Sequence, residues 1–229
     1  MQIVEKSHFG LRSAQIRLIC EGKPDFVILP MMHVASEAFF LDVRERANAC
    51  DHVLIEGVRS PKAAQVVPYK KVAKGVKNGL YLQSWYHNRE ACPEWENADI
   101  DRDEFDKLLA RTPLWVRMLF FVARFILPIY IRNAADLIRR THSIEDNHSR
   151  EDRGYDLEES FGSAFSHLIM TRRDQILAQR CDQLISERKV KSIAVIWGAA
   201  HVRVLVRHLI YKQGYSIRAM EWMTLLRRQ

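Results

Sequence analysis

The stretch "SIAVIWGAAHVRVL", residues 192–205, decides the fold class because its apolar period changes partway along. Ile193, Ala194, Val195 and Ile196 form a short unbroken apolar run, the pattern of a strand packed on both faces, and Trp197 and Gly198 mark where the chain must turn. Beyond the turn Val202, Leu205, Val206, Leu209 and Ile210 recur at helical spacing, so His201 opens a helix over 201–212. A buried strand feeding a helix belongs to a parallel α/β sheet, and the carboxyl end of such a strand is where these sheets keep their chemistry. His201 stands there, as a catalytic group or as a cap.

A turn at Gly214 then leads to a strand over 216–223, and an equivalent arrangement occurs near the N-terminus. There a hairpin of residues 2–5 and 14–20 turns at Gly10 and feeds "DFVILPMMH", residues 25–33, a strand that ends on His33. The following "SEAFFLDVRERANAC" is an amphipathic helix with Phe39, Phe40, Val43 and Ala47 on one side and Ser36 as its cap. "HVLIEG", residues 52–57, is then a short buried strand ending in Glu56. Strand, helix, strand implies a right-handed crossover and two parallel neighbours. Each unit places a histidine at its strand-to-helix junction and a glutamate, Glu56 or Glu221, on its second strand. The expected fold is α/β: a duplicated strand-helix-strand core forming a mixed sheet from about 1–57 and 171–229, with a large, mostly helical insertion over about 58–170, all in one domain.

At 229 residues and 48% hydrophobic content the chain can bury a sizeable core. A net charge of +7 and a pI near 9.3 suit an acidic partner such as an anionic membrane or nucleic acid. Nucleic acid is disfavoured, because no RNP-like aromatic motif, zinc-finger spacing or arginine-dense recognition helix occurs. Cys20, Cys50, Cys92 and Cys181 lie far apart with no C-x-x-C pair, which points to reduced structural thiols. Charges interrupt the apolar residues of positions 1–20, so no secretory signal is read there and a cytoplasmic location is expected.

Within the insertion, residues 57–89 carry Lys and Arg without an acid and residues 90–106 are dominated by carboxylates, so the two stretches are expected to pair with one another. "PLWVRMLFFVARFILPIYI", residues 113–131, raises a membrane reading. Arg117 and Arg124 would cost ~5–7 kcal/mol at a bilayer centre, close to what the apolar side chains return. The segment reads better as an amphipathic helix, either packed on the core or making peripheral contact with a membrane or partner.

No H-E-x-x-H, G-x-S-x-G, Walker loop or G-x-G-x-x-G occurs, which removes support for zincin, α/β-hydrolase, P-loop and Rossmann readings. What remains are polar residues at the ends of core strands: His33, Glu56 and His201. Two imidazoles and a carboxylate at one sheet edge can ligate a divalent transition metal, or hold a water for general-base attack. Equally, the histidines can serve as helix caps and Glu56 as half of a structural ion pair. A charged Glu56 after an apolar strand needs a cation, and "TRRDQILAQRCDQLI", residues 171–185, offers Arg172, Arg173 and Arg180.

In this order the residues resemble the TraB/PrgY, GumN and Tiki superfamily. The second G-x-x-H is intact as Gly198-Ala199-Ala200-His201, the E-G pair is Glu56-Gly57, the arginine motif is Arg173-Asp174, and "NADIDRDEF", residues 97–105, is similar to the family's Ala-Asp segment. The first motif departs from the pattern: it reads Pro30-Met31-Met32-His33, with proline for glycine. The resemblance implies a cleft lined by His33 as water activator or ligand, Glu56 as ligand or base, Arg173 as oxyanion or carboxylate clamp, and His201 as ligand or proton donor. It implies a hydrolase, with a metal-assisted peptidase acting on a small or extended peptide as the leading expectation. His33, Glu56 and His201 would then hold manganese, cobalt or zinc. Other branches imply peptide-pheromone shutdown, esterase-type hydrolysis without an obligatory metal, or haem binding. The competing expectation is a non-catalytic membrane-associated or ligand-binding regulator, in which Pro30 marks lost chemistry.

Overall fold

The computed structural model of the chain describes residues 1–7, 10–32, 34–58, 80–83, 95–118, 122 and 163–227. The first elements follow the expected hairpin: β1 (Val4–Ser7) and β2 (Gly10–Ile19) pair antiparallel, with Gly10 at φ 127°, where glycine is favoured. β3 (Asp25–Met31) and the short β4 (Val34–Ser36) lead into α1 (Glu37–Asn48). Ser36 caps α1 by accepting from the Phe39 N–H at 3.3 Å, and the helix buries Phe39, Phe40, Val43 and Ala47, the face its spacing predicts. β5 (His52–Ile55) follows.

β6 (Leu80–Leu82) pairs with β4 in a separate two-stranded sheet, and β7 (Glu96–Asn97) adds parallel to β5 ahead of α2 (Arg102–Arg111). α3 (Ser163–Ser166) runs through a π-helical turn (His167–Thr171) into α4 (Arg172–Glu187). The chain ends its described part with β8 (Ser192–Gly198), α5 (Ala199–Tyr211) and β9 (Ser216–Arg227). α5 starts earlier than its apolar spacing predicts, so His201 lies within its first turn rather than opening it.

The main sheet is mixed and has seven strands. β9 runs along one edge of β2 from Gly10 to Ile19, and β1 and β3 share the other edge. From β3 the sheet continues through β8 and β5 to β7, all parallel. Both strand-helix-strand units are present, but the strands of each unit are parallel without being neighbours. β8 lies between β3 and β5, and β3 and β2 lie between β8 and β9. The reason is burial: Ile193 to Trp197 are buried without interruption, and a strand apolar on both faces needs a paired neighbour on both edges.

Right-handed crossovers that run in opposite directions put their helices on opposite faces of a sheet. Accordingly α1 packs with Leu29, Met31, Ala194 and Ile196 on one face, while α4 and α5 pack with Ile28, Val195 and Trp197 on the other. The connections after the adjacent strands β3 and β8 therefore leave in opposite senses and open a crevice at their carboxyl ends. Of the expected insertion, the described parts include two strands as well as α2 and α3. β7 belongs to the main sheet, so the core is not confined to 1–57 and 171–229. The 113–131 segment is described through residue 118 and at 122, and among the described residues no helix is long and apolar enough to cross a membrane. Cys20, Cys50 and Cys181 are free thiols, and Cys92 lies outside the described residues.

Candidate functional site

β5 ends at Ile55, yet the Glu56 N–H still donates to the Ile196 carbonyl at 3.1 Å, so Glu56 leaves the sheet directly beside the end of β8. Its carboxylate meets the N-terminus of α5, where Oε2 accepts the Gly198 N–H at 2.5 Å. An anion is favoured there by the helix dipole and by the otherwise unsatisfied N–H. A Cβ on residue 198 would stand 2.9 Å from Oε2 and 3.5 Å from Cδ2 of His201. Gly198 has φ −53°, open to any residue, so glycine is needed here for space and not for conformation.

Oε1 of Glu56 accepts from Nη2 of Arg173 at 2.6 Å. Arg173 heads the stripe of α4 that faces the sheet, continued by Leu177, Cys181 and Leu184. Its guanidinium also engages Asp99, Nε to Oδ1 at 2.8 Å and Nη2 to Oδ2 at 2.6 Å. The Asp99 side chain is fully buried and accepts the N–H groups of Gly57 and Ile100 besides. Burial alone would lower the guanidinium's pKa, but the hydrogen bonds and charges of Asp99 and Glu56 outweigh it and raise the value. The result is a buried triad of one cation and two carboxylates.

Of the three arginines offered by α4, Arg173 is thus the clamp on Glu56, a carboxylate clamp in the terms of the resemblance. Arg172 donates to Glu104 at 2.5 Å, and Arg180 donates to Glu96 at 2.5 and 2.8 Å. Of the stretch 90–106, the acids Glu96, Asp99 and Glu104 pair with α4. Adding β7 beside β5 carries the acidic stretch alongside that helix. The Lys and Arg residues of 57–89, with which that stretch is expected to pair, lie outside the described residues.

His201 is buried in the first turn of α5. Its Nδ1 lies 2.7 Å from Oδ1 of Asp174, in the first turn of α4, and the Trp197 ring stands edge-on to it at 6.4 Å and 89°. A nitrogen facing a carboxylate carries the proton, which leaves Nε2, next to the Cδ2 that faces Gly198, as the nitrogen with acceptor character. His201 is therefore not a cap, since the N-cap of α5 is Gly198 with no side-chain bond. The π-helical turn that ends at Thr171, two residues before Arg173, is a feature that recurs at functional sites.

Glu56, Arg173 and His201 thus meet at one sheet edge, while His33 lies outside the described residues. Met31, two residues before it, pairs in register with Gly198. Two residues escaped the reading of the sequence as members of the site: Asp99 and Asp174. Both stand in stretches that carried the resemblance, and Asp99 had a further signal, an acid set between Ala98 and Ile100, both buried.

Pro30 has a local explanation. Its carbonyl accepts from Ser13 Oγ at 2.8 Å, so it points to the β2 side, and the N–H that proline lacks would point the same way. The β2–β3 register extends over Ile16 to Leu18 only, and Ala14 donates instead to Ile3 in front of β1. β3 has already lost β2 as a partner at Pro30, so no ladder bond is missing, while pairing to β8 continues through Trp197 and Gly198.

For manganese, cobalt or zinc the fit is uneven. His201, with Nδ1 held by a carboxylate, has the orientation of a metal-ligating imidazole. Glu56 already commits one oxygen to Arg173 and the other to Gly198, and a divalent ion on it would stand beside a guanidinium. Among the described residues no three His, Cys, Asp or Glu side chains are grouped to hold a metal ion. No family model, curated protein or solved structure matches the chain.

Proposed function

We propose that the chain is a hydrolase of the TraB/PrgY, GumN and Tiki type that cleaves a small or extended peptide, with His201 activating water and Asp174 orienting His201. The observation that carries this reading is the 2.7 Å hydrogen bond that Asp174 accepts from Nδ1 of His201, whose opposite edge faces Glu56 across Gly198. The order of four short motifs along the chain supports it. In the proposed step Nε2 takes a proton from water as the water oxygen bonds to the scissile carbonyl carbon. The same proton passes to the leaving nitrogen as the carbon–nitrogen bond breaks. Glu56 and Arg173 act as positioning residues: they tie the N-terminus of α5, and so His201, to α4 and to the segment after β7. No step runs through a metal, because Glu56 is a poor ligand in this geometry.

The test is a peptide library incubated with the full chain, alone and with manganese, cobalt or zinc, with products read by mass spectrometry. Cleavage is expected, reduced in His201→Ala by about 10²–10⁴ in kcat. Asp174→Asn should lower kcat about 10²-fold with KM nearly unchanged, because it disturbs the tautomer rather than binding. A library left uncut under all four conditions, or a His201→Ala variant as fast as the parent, overturns the proposal. Metal content of native protein beside His33→Ala decides whether an ion belongs to it, and a Soret band on adding haem would favour the haem-binding branch.

A further inference from the structure

The segment after α2 exposes what the rest of the fold buries. Residues 114–118 form a helical turn started by Pro113, whose carbonyl accepts the Val116 and Arg117 N–H groups at 3.1 and 3.2 Å. Val116 is fully buried. On the other side Leu114 is 70% and Met118 59% exposed, and Trp115 is exposed with them. At 3.6 residues per turn, positions 114, 115 and 118 fall within an arc of roughly 100°, with position 116 opposite. A face of large apolar side chains turned to solvent marks an interaction surface more often than chance exposure.

The charges beside this face select its partner. Arg117 adjoins it and is exposed, and the last turn of α2, which leads into it, ends on Arg111, also exposed. Asp101, Asp103 and Glu104 lie at the far end of α2, with Glu104 already held by Arg172, and the half-buried Asp106 is the acid nearest in sequence. A second copy of the chain would bring two such basic rims and two net charges of +7 together. An anionic surface is attracted by both.

We propose that this face docks on an anionic lipid surface, with Leu114 and Met118 entering the interface and Arg111 and Arg117 meeting the headgroups. The contact lies in the plane of the membrane and is independent of what the cleft does. The experiment is flotation of the full chain with vesicles of phosphatidylcholine alone and of equal parts phosphatidylcholine and phosphatidylserine, at low and high salt. The protein should float with the anionic vesicles, less so at high salt, and the double variant Leu114→Glu, Met118→Glu should bind about tenfold less or weaker still. Unchanged thermal melting of that variant shows that the fold is intact. No flotation with anionic vesicles at low salt overturns the proposal, as does a variant that floats like the parent. A parent dimer in light scattering that the variant dissolves, without flotation, overturns it in favour of a second copy.

Discussion

Glu56 and Glu221 stand at similar sequence offsets in the two strand-helix-strand units, and the fold treats them in opposite ways. Glu56 follows β5, its side chain is 10% exposed, and both oxygens are held, by buried Arg173 and by Gly198. Glu221 lies on β9, is 57% exposed, and meets half-exposed Arg46 at 2.9 Å. The difference comes from position in the sheet. β5 has neighbours on both edges, β8 and β7, and α4 packs across its end, whereas β9 pairs with β2 alone among the described strands. A similar spacing in sequence therefore yields a buried ion triad in one unit and a surface ion pair in the other.

The widest separation is expected between the two arginines. Arg173→Leu leaves Glu56 and Asp99 buried without their cation and should cost about 3–5 kcal/mol in urea unfolding. Arg46→Leu should cost no more than about 1 kcal/mol, as exposed pairs do. Equal losses would break the contrast. Next comes Gly198→Ala, whose Cβ would press on the Glu56 carboxylate and should cost about 1–3 kcal/mol, read by the same unfolding curves. In a Glu56→Ala background the same substitution should cost less, because the carboxylate that the new Cβ meets is gone.

A smaller effect appears in acid. Glu96 is partly buried, which alone would raise its pKa, but hydrogen bonds from Arg180 and His52 outweigh this and hold it below the ordinary glutamate range. A depressed folded pKa means stability that is present above the unfolded value and lost as pH falls through the folded one. The stability gap between parent and Glu96→Gln should therefore close as urea unfolding is repeated from about pH 6 to about pH 3, by less than about 1 kcal/mol. A gap that widens on acidification contradicts the assigned pairing. Glu221→Ala is the smallest change expected, within about 0.5 kcal/mol of the parent.

Much of the local architecture was legible in sequence. α1 could be read with its cap and its four buried residues because apolar spacing and a serine side chain are properties of a short stretch. The burial of β8 was legible for the same reason. Its neighbours were not: interleaving of the two units depends on which edges pair, a choice made between strands remote in the chain. The site divides in the same way. Glu56, Arg173 and His201 were visible as polar groups at element ends, and the need of Glu56 for a cation followed from its apolar surroundings. Their partners were not visible, since Arg173 reaches Glu56 across 117 positions and Asp99 across 74, and Asp174 reaches His201 across 27.

What the sequence by itself determined is the core elements, β1 to β3, α1, β5, α4, β8, α5 and β9, and the polar residues at their ends, because period, caps and turns act over a few residues. What only the tertiary structure decided is which of those residues share a hydrogen bond. β7 joining the sheet brought Asp99 to Arg173, and the packing of α4 against α5 brought Asp174 to His201. The space that glycine leaves at 198 let Glu56 close the triad.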